Sequence, residues 1–188
     1  MSSLARQPLC LASIFLVPLL TLAAPAWLGI AGVSPSWGVL WLLPWALVEG
    51  PVSGAIAGLM LGLLLDGLHP GPVSEIPALL FLGWWWGRFG RRFPPLERSF
   101  SLGLLAMVGS ALLGITLLLQ FVLLQPDTFI QALRGSQLSV PPRGWTPSVL
   151  GMAGLHILGA QILITGLLAP ILCSLQLLFW RRQRVLQR

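Results

Sequence analysis

The chain has 188 residues, of which 56% are hydrophobic and only 9% are charged. An average soluble domain carries about 25% charged residues, so this composition excludes an ordinary soluble enzyme, a disordered regulator and a disulfide scaffold. The formal net charge is +6, and every Lys or Arg position that contributes to it is an arginine. Because the arginines cluster beside apolar runs, they predict membrane-surface anchors rather than a nucleic-acid interface.

Six apolar runs predict an all-α integral membrane protein with a single polytopic domain over residues 1–188. A membrane-spanning helix needs about 20 residues, and prolines such as Pro18 are tolerated within it. The first run continues past the signal-peptide-like segment Ala24-Pro25-Ala26, which favours an uncleaved helix. The predicted spans are residues 9–32, 36–48, 52–68, 76–87, 99–124 and 148–180.

The arginines also predict the orientation of these spans. Six spans place both termini on one side of the membrane. If that side is the cytoplasm, it holds Arg6, four arginines of residues 88–98 and four of the C-terminal tail, against only Arg134 and Arg143 outside. This agrees with the positive-inside rule, and the same groups could touch anionic lipid head groups. The predicted cytoplasmic anchors are Arg88, Arg91, Arg92, Arg98, Arg181, Arg182 and Arg184.

The third run has a glycine at every fourth position. Gly50, Gly54, Gly58 and Gly62 are followed at the same spacing by Asp66. Each step of four drifts by about 40° on an α-helix, so these positions trace a slow spiral along one side. Small residues there predict close packing against another helix, either another span of this chain or a partner protein.

Asp66 is the acidic residue nearest to membrane depth, which makes it the first functional candidate. His69 follows within one turn and could share its face. Two interpretations remain open: a partner contact or polar site at the outer mouth, or a helix-end residue held by His69 or by backbone N–H groups. In the last run, His156 and Gln161 predict a buried polar contact between helices. The tryptophans predict interface belts and core filler.

Enzyme signatures are missing from the sequence. Ser53 and His156 loosely resemble the dyad of an intramembrane serine protease, but the predicted topology places them at opposite depths. No His, Cys, Asp and Glu cluster has metal-ligand spacing, and no glycine-rich phosphate loop joins a strand to a helix. The sequence therefore predicts a non-enzymatic protein without a cofactor.

The segment from Ser34 to Arg92 resembles the rod shape-determining protein MreD family, in the style of its cyanobacterial members. The resemblance is carried by the Pro35-Ser36-Trp37 opening of the second span, the glycine-spaced third span and Asp66-Gly67 at its end. It implies a non-enzymatic inner-membrane scaffold of the cell-elongation machinery. The implied partners are an MreC-type bitopic protein, an MreB-type filament and the peptidoglycan synthases of the elongation complex, besides membrane lipid.

The same resemblance implies a fold similar to the six-helix substrate-binding subunits of energy-coupling-factor vitamin transporters. It assigns Gly58, Gly62, Asp66 and Gly67 to helix-packing or partner-contact positions, and it supplies no catalytic residue. A vitamin-binding transporter subunit is the alternative function. That function needs a pocket with several convergent polar groups near the outer face.

Overall fold

The structure, a computed structural model, describes residues 12–23, 33–68, 71, 73–90, 99–124 and 152–186. Every regular element in these ranges is a helix, which confirms the all-α prediction for this part of the chain. In chain order the helices are α1 (Leu16–Ala23, after a 3-10 turn at Ser13–Phe15), α2 (Trp37–Glu49), α3 (Pro51–Leu68), α4 (Ile76–Gly90), α5 (Ser99–Leu124) and α6 (Met152–Leu186).

Three helices are long and apolar enough to cross a membrane. Their apolar stretches are Pro51–Leu68 in α3, Ser101–Leu124 in α5 and His156–Trp180 in α6. By contrast, α2 has 13 residues and α4 has 15, or about 20 Å of helix each, against a hydrocarbon core of about 30 Å. The described residues therefore support a membrane protein with three candidate spans, while six crossings remain a prediction.

Helix α2 forms the centre of the molecule. It packs against α1, α3, α4, α5 and α6. Eleven of its thirteen residues are buried, including Pro44 and the C-terminal Glu49. A helix that is apolar on all sides is expected in a protein core or in lipid, and here other helices cover it. The short second run of the sequence is thus a core helix of the bundle.

Tryptophan side chains fill this core. Trp41 stacks on Trp45 with ring centroids 5.2 Å apart, and Trp45 meets Trp180 edge-on at 5.4 Å. Trp86 of α4 is fully buried, and its ring lies against Gly109 of α5. These four indoles are core filler rather than interface belts, because their large apolar area is covered by neighbouring helices.

A single residue joins α2 to α3. Gly50 has φ 94°, which a residue with a Cβ rarely adopts. Its N–H donates to the Ala46 carbonyl, and its own carbonyl accepts from Gly54 N–H at 2.8 Å. Pro51 then occupies the first position of α3, where its missing N–H is not needed. The Gly-Pro pair therefore ends one helix and begins the next without a loop.

The contacts between helices fix their directions. Helix α2 runs parallel to α6, because Ser36, Leu40 and Trp45 meet Thr165, Cys173 and Trp180 in the same order. Helices α5 and α6 run antiparallel, since Gly103 lies beside Gly166 and Gly114 lies beside Leu158. Helices α3 and α4 also run antiparallel.

Candidate functional site

The main polar cluster joins the end of α3 to the start of α4 and to α5. We call Asp66, Ser74, Glu75 and Gln120 the polar junction. Ser74 Oγ donates to Asp66 Oδ2 at 2.5 Å, and the Glu75 N–H donates to Asp66 Oδ1 at 2.8 Å. Both carboxyl oxygens of Asp66 therefore accept a hydrogen bond from the segment that precedes α4.

Gln120 of α5 binds the backbone of the same segment. Its Oε1 accepts from Ser74 N–H at 2.8 Å, and its Nε2 donates to the Ser74 carbonyl at 3.0 Å. The side-chain amide thus pairs with both polar groups of one residue, as a neighbouring β-strand would. In apolar surroundings each such pair avoids leaving a backbone group unsatisfied.

The polar junction also caps the N-terminus of α4. The first N–H groups of a helix have no partner inside it. Here the Glu75 N–H donates to Asp66, and the Ile76 N–H donates to Ser74 Oγ at 3.2 Å. A carboxyl group at this end also meets the positive end of the helix dipole. Of the two interpretations open for Asp66, this geometry corresponds to a helix-end residue held by backbone N–H groups.

Glu75 is the group of the junction with a perturbed acidity. It lies between α3 and α4, outside both helices. Burial raises the pKa of Glu75 from 4.5 to about 7, and the neighbouring Asp66 adds to this effect. Desolvation and a second carboxylate both disfavour the charged form. Glu75 therefore exchanges its proton near neutral pH.

The glycine face of α3 packs against α4. A Cβ at Gly58 would fall on the Leu79 carbonyl, and a Cβ at Gly54 would fall on the Gly83 carbonyl. Gly83 in turn lies against the backbone at Gly54. Gly62 has Ile76 Cα 2.7 Å from its Cβ position. Gly54, Gly58 and Gly62 thus meet another helix of the same chain, which leaves this face closed to a partner protein.

Two predicted contact positions lie apart from this face. Gly67 is exposed, and a Cβ there would meet no atom of the described residues within 4 Å. It therefore makes no close helix contact in this part of the chain. His69 lies outside the described residues.

The buried polar contact of α6 differs from the predicted pair. Thr165 is fully buried; its hydroxyl donates to the Gln161 carbonyl at 2.6 Å and accepts the Ser36 N–H at 3.0 Å. Gln161 contributes its backbone carbonyl and is half-buried, whereas His156 is exposed. His156 therefore lies outside the buried polar contact, which is formed by the Thr165 hydroxyl and the Gln161 backbone carbonyl.

Among the predicted anchors, Arg88 belongs to α4. It is exposed in the last turn of α4, with its Cζ atom 5.7 Å from the centroid of the Trp84 ring. Arg91, Arg92 and Arg98 lie outside the described residues. Arg181, Arg182 and Arg184 lie in the last turns of α6.

Sequence reasoning missed Ser74 as the residue that joins the junction. Its signal was present, since a serine two residues before an apolar helix is a frequent capping residue. Gln120 is an isolated polar residue in an apolar run, but its partner follows only from the fold. Within the described residues no group of three metal-ligating side chains occurs.

Comparison with known proteins finds no similarity that shows a family. No family model matches the chain. No curated protein and no solved structure matches it either. The arrangement itself can hold helices together through Asp66, Gln120 and Thr165, and it can bind and release a proton at Glu75.

Proposed function

We propose that the chain is a non-enzymatic scaffold of the cell-elongation machinery in the bacterial inner membrane, and that it holds an MreC-type bitopic protein. The observation that supports this most is the compact unit formed by α2, α3 and α4. These helices cover the segment whose residues resemble the MreD family. Gly54, Gly58 and Asp66, which are among those residues, hold the unit together.

The proposed topology has six crossings with both termini in the cytoplasm. Helices α3, α5 and α6 supply three crossings on length and composition. The first apolar run and the shorter helices α2 and α4 would supply the other three crossings. A helix shorter than the hydrocarbon core can still cross where the bilayer thins around it or where neighbouring helices cover its ends. The bundle would then be similar to the substrate-binding subunits of energy-coupling-factor transporters. The arginine distribution favours this orientation.

Polar side chains in the described structure join helices of this chain. Asp66 and Gln120 bind the start of α4, and Thr165 binds the start of α2. A scaffold needs a rigid body of this kind, because a partner is positioned only as well as the helices that hold it. Catalysis or transport would instead need such groups directed at a substrate.

The partner helix would contact the outward faces of the bundle rather than the glycine face of α3. Apolar side chains cover these faces: on α6 they recur every four residues and include Leu163, Leu167 and Ile171, each more than half exposed. The cytoplasmic arginines would orient the complex toward an MreB-type filament. Peptidoglycan synthases would join through the bitopic partner.

Mild-detergent purification of the tagged chain from its native membrane, with mass spectrometry of proteins and small molecules, tests this proposal. We expect a bitopic shape protein and peptidoglycan synthases to co-purify. The variant Leu167→Ala tests whether the α6 face contributes, because it should reduce the amount of bitopic protein that co-purifies. Leu22→Ala in α1 is the control, since it shortens a similarly exposed leucine on another helix.

Recovery of a vitamin together with a pair of ATPases would overturn the scaffold proposal in favour of a transporter subunit. Recovery of neither group from intact membranes, with the tagged chain folded, would also contradict it. An enzymatic activity that is lost in Ser53→Ala or His156→Ala would instead identify the chain as an intramembrane enzyme.

A further inference from the structure

One side of α4 combines exposed apolar and aromatic side chains with a basic group. Leu80, Phe81 and Trp84 are 39%, 49% and 42% exposed. Arg88 is exposed one turn beyond Trp84. These four residues recur at helical spacing and so share one face. We call them the α4 outer face.

Aromatic contacts hold the α4 outer face in place. Phe81 lies 6.3 Å from both Trp84 and Trp85, and Trp85 meets Phe89 edge-on at 5.2 Å. The Arg88 guanidinium stands over the Trp84 ring at 5.7 Å. A cation over an indole face is attracted by the ring quadrupole. The indole therefore fixes the position of the guanidinium.

This contact leaves the hydrogen-bonding capacity of Arg88 available. A guanidinium carries five N–H donors in a planar fork, and a π face offers no lone pair to them. The same fork matches the two oxygens of a phosphate. Arg88 is thus held by one group and remains able to bind another.

The sequence that continues from Arg88 is rich in positive charge. Residues 88–98 contain four arginines and one glutamate. Tryptophan and arginine at the end of an apolar helix are typical of the membrane–water boundary, where phosphate groups are concentrated. Leu80 and Phe81 extend the face toward the apolar part of α4, which suits acyl chains.

We propose that the α4 outer face binds an anionic phospholipid. Arg88 holds the head-group phosphate, Trp84 lies at the glycerol level, and the acyl chains follow Leu80 and Phe81. An acidic protein segment would be attracted by the arginines but would leave the adjoining apolar side chains without a suitable partner. The proposal needs a membrane location only, so it stands independently of any role in cell elongation.

Titration of the full-length chain with phosphatidylglycerol in neutral detergent tests the site. The thermal unfolding midpoint, followed by tryptophan fluorescence, reports binding, with phosphatidylcholine of the same acyl chains and inorganic phosphate as reference ligands. The variants are Arg88→Gln and Trp84→Leu. Arg143→Gln is the control, because it removes the same charge elsewhere.

We expect phosphatidylglycerol to stabilise the chain at lower mole fraction than phosphatidylcholine, and inorganic phosphate to have no effect. Arg88→Gln should raise the half-saturating mole fraction about fivefold, and Trp84→Leu about twofold. Arg143→Gln should leave it unchanged. Equal stabilisation by the two lipids would overturn the proposal. So would equal shifts for Arg88→Gln and Arg143→Gln, or stabilisation by inorganic phosphate alone.

Discussion

At the scale of single residues, the polar junction shows how an acidic side chain is retained in a mostly apolar chain. Asp66 accepts two hydrogen bonds from the segment before α4, and Gln120 satisfies both backbone groups of Ser74. A buried donor left without its acceptor costs roughly 1–3 kcal/mol. The junction therefore stabilises the contact between two antiparallel helices at the end where residues 69–75 connect them.

Replacement of Asp66 tests this contribution. Asp66→Ala leaves both donors without an acceptor and should lower the free energy of unfolding by about 2–6 kcal/mol. In Asp66→Asn the side-chain carbonyl still accepts one of the two hydrogen bonds, whereas the amide NH₂ group faces the other donor. We therefore expect about half the loss of stability of Asp66→Ala. Unfolding in detergent, followed by tryptophan fluorescence, measures both. Equal stability of Asp66→Ala and the wild type would contradict the role given to the junction.

Glu75 should make stability depend on pH. Its pKa is about 7 in the folded chain against an ordinary 4.5, so the folded state binds the proton more tightly than the unfolded state. The stabilisation contributed by Glu75 is fully present below about pH 4.5. It decreases as the pH rises toward about 7 and is absent at higher pH.

Glu75→Gln should remove this dependence. At pH 8 the variant should be more stable than the wild type by up to about 3 kcal/mol, and at pH 4 the two should match. Unfolding midpoints across this range measure the difference. A parallel pH dependence in both proteins would show that Glu75 is ionised freely in the fold.

At the scale of elements, the contact between α3 and α4 depends on backbone approach. The structure brings the glycine face of α3 against backbone atoms of α4 rather than against flexible side chains. Backbone atoms cannot move aside cheaply, so a single added methyl group forces the helices apart.

A matched pair of glycine substitutions tests that contact. Gly58→Ala places a Cβ on the Leu79 carbonyl, whereas Gly67→Ala meets no described atom within 4 Å. We expect Gly58→Ala to destabilise the chain by about 2–3 kcal/mol. Gly67→Ala should be neutral or stabilising by up to about 1 kcal/mol, because alanine favours the helix. Similar unfolding midpoints for the two variants would refute the close-packing interpretation.

Thr165 should matter more than His156 on α6. Thr165→Val keeps the shape but leaves the Ser36 N–H without its acceptor, which costs about 1–3 kcal/mol. Thr165→Ser retains the hydroxyl and should lose less. His156→Ala should change stability by less than about 0.5 kcal/mol, since the side chain is exposed. A larger effect at His156 than at Thr165 would reverse this assignment.

The sequence predicted elements better than contacts. The apolar runs 36–48 and 52–68 predict α2 and α3 to within one residue at each end, because helix ends depend on local chemistry. The pairing of Gln120 with Ser74 joins positions far apart in the chain, and periodicity carries no information about it. The same holds for Trp45 and Trp180: composition favours tryptophan at interfaces, whereas the packing around α2 decides that these rings are buried.

At the scale of the whole molecule, the bundle has two kinds of helix. The central helix is apolar on every side, and the helices around it have an apolar face that points outward. Helix α2 is buried along most of its length. Helices α3, α5 and α6 each expose a row of large apolar side chains. In water such faces would associate, whereas in a bilayer they meet lipid. The polar side chains of Asp66, Gln120 and Thr165 form hydrogen bonds between elements of the bundle, and such internal pairing is expected where the surroundings offer no hydrogen bonds.

The account depends most on the chain crossing the membrane six times with both termini in the cytoplasm. Labelling of single cysteines in intact cells tests this directly, with reporters near residues 3, 71, 94, 135 and 187 in a chain lacking Cys10 and Cys173. The account predicts that an impermeant reagent labels positions 71 and 135 alone, and the others only after the membrane is opened. Labelling of the two termini from opposite sides, or of position 94 from outside, would contradict it.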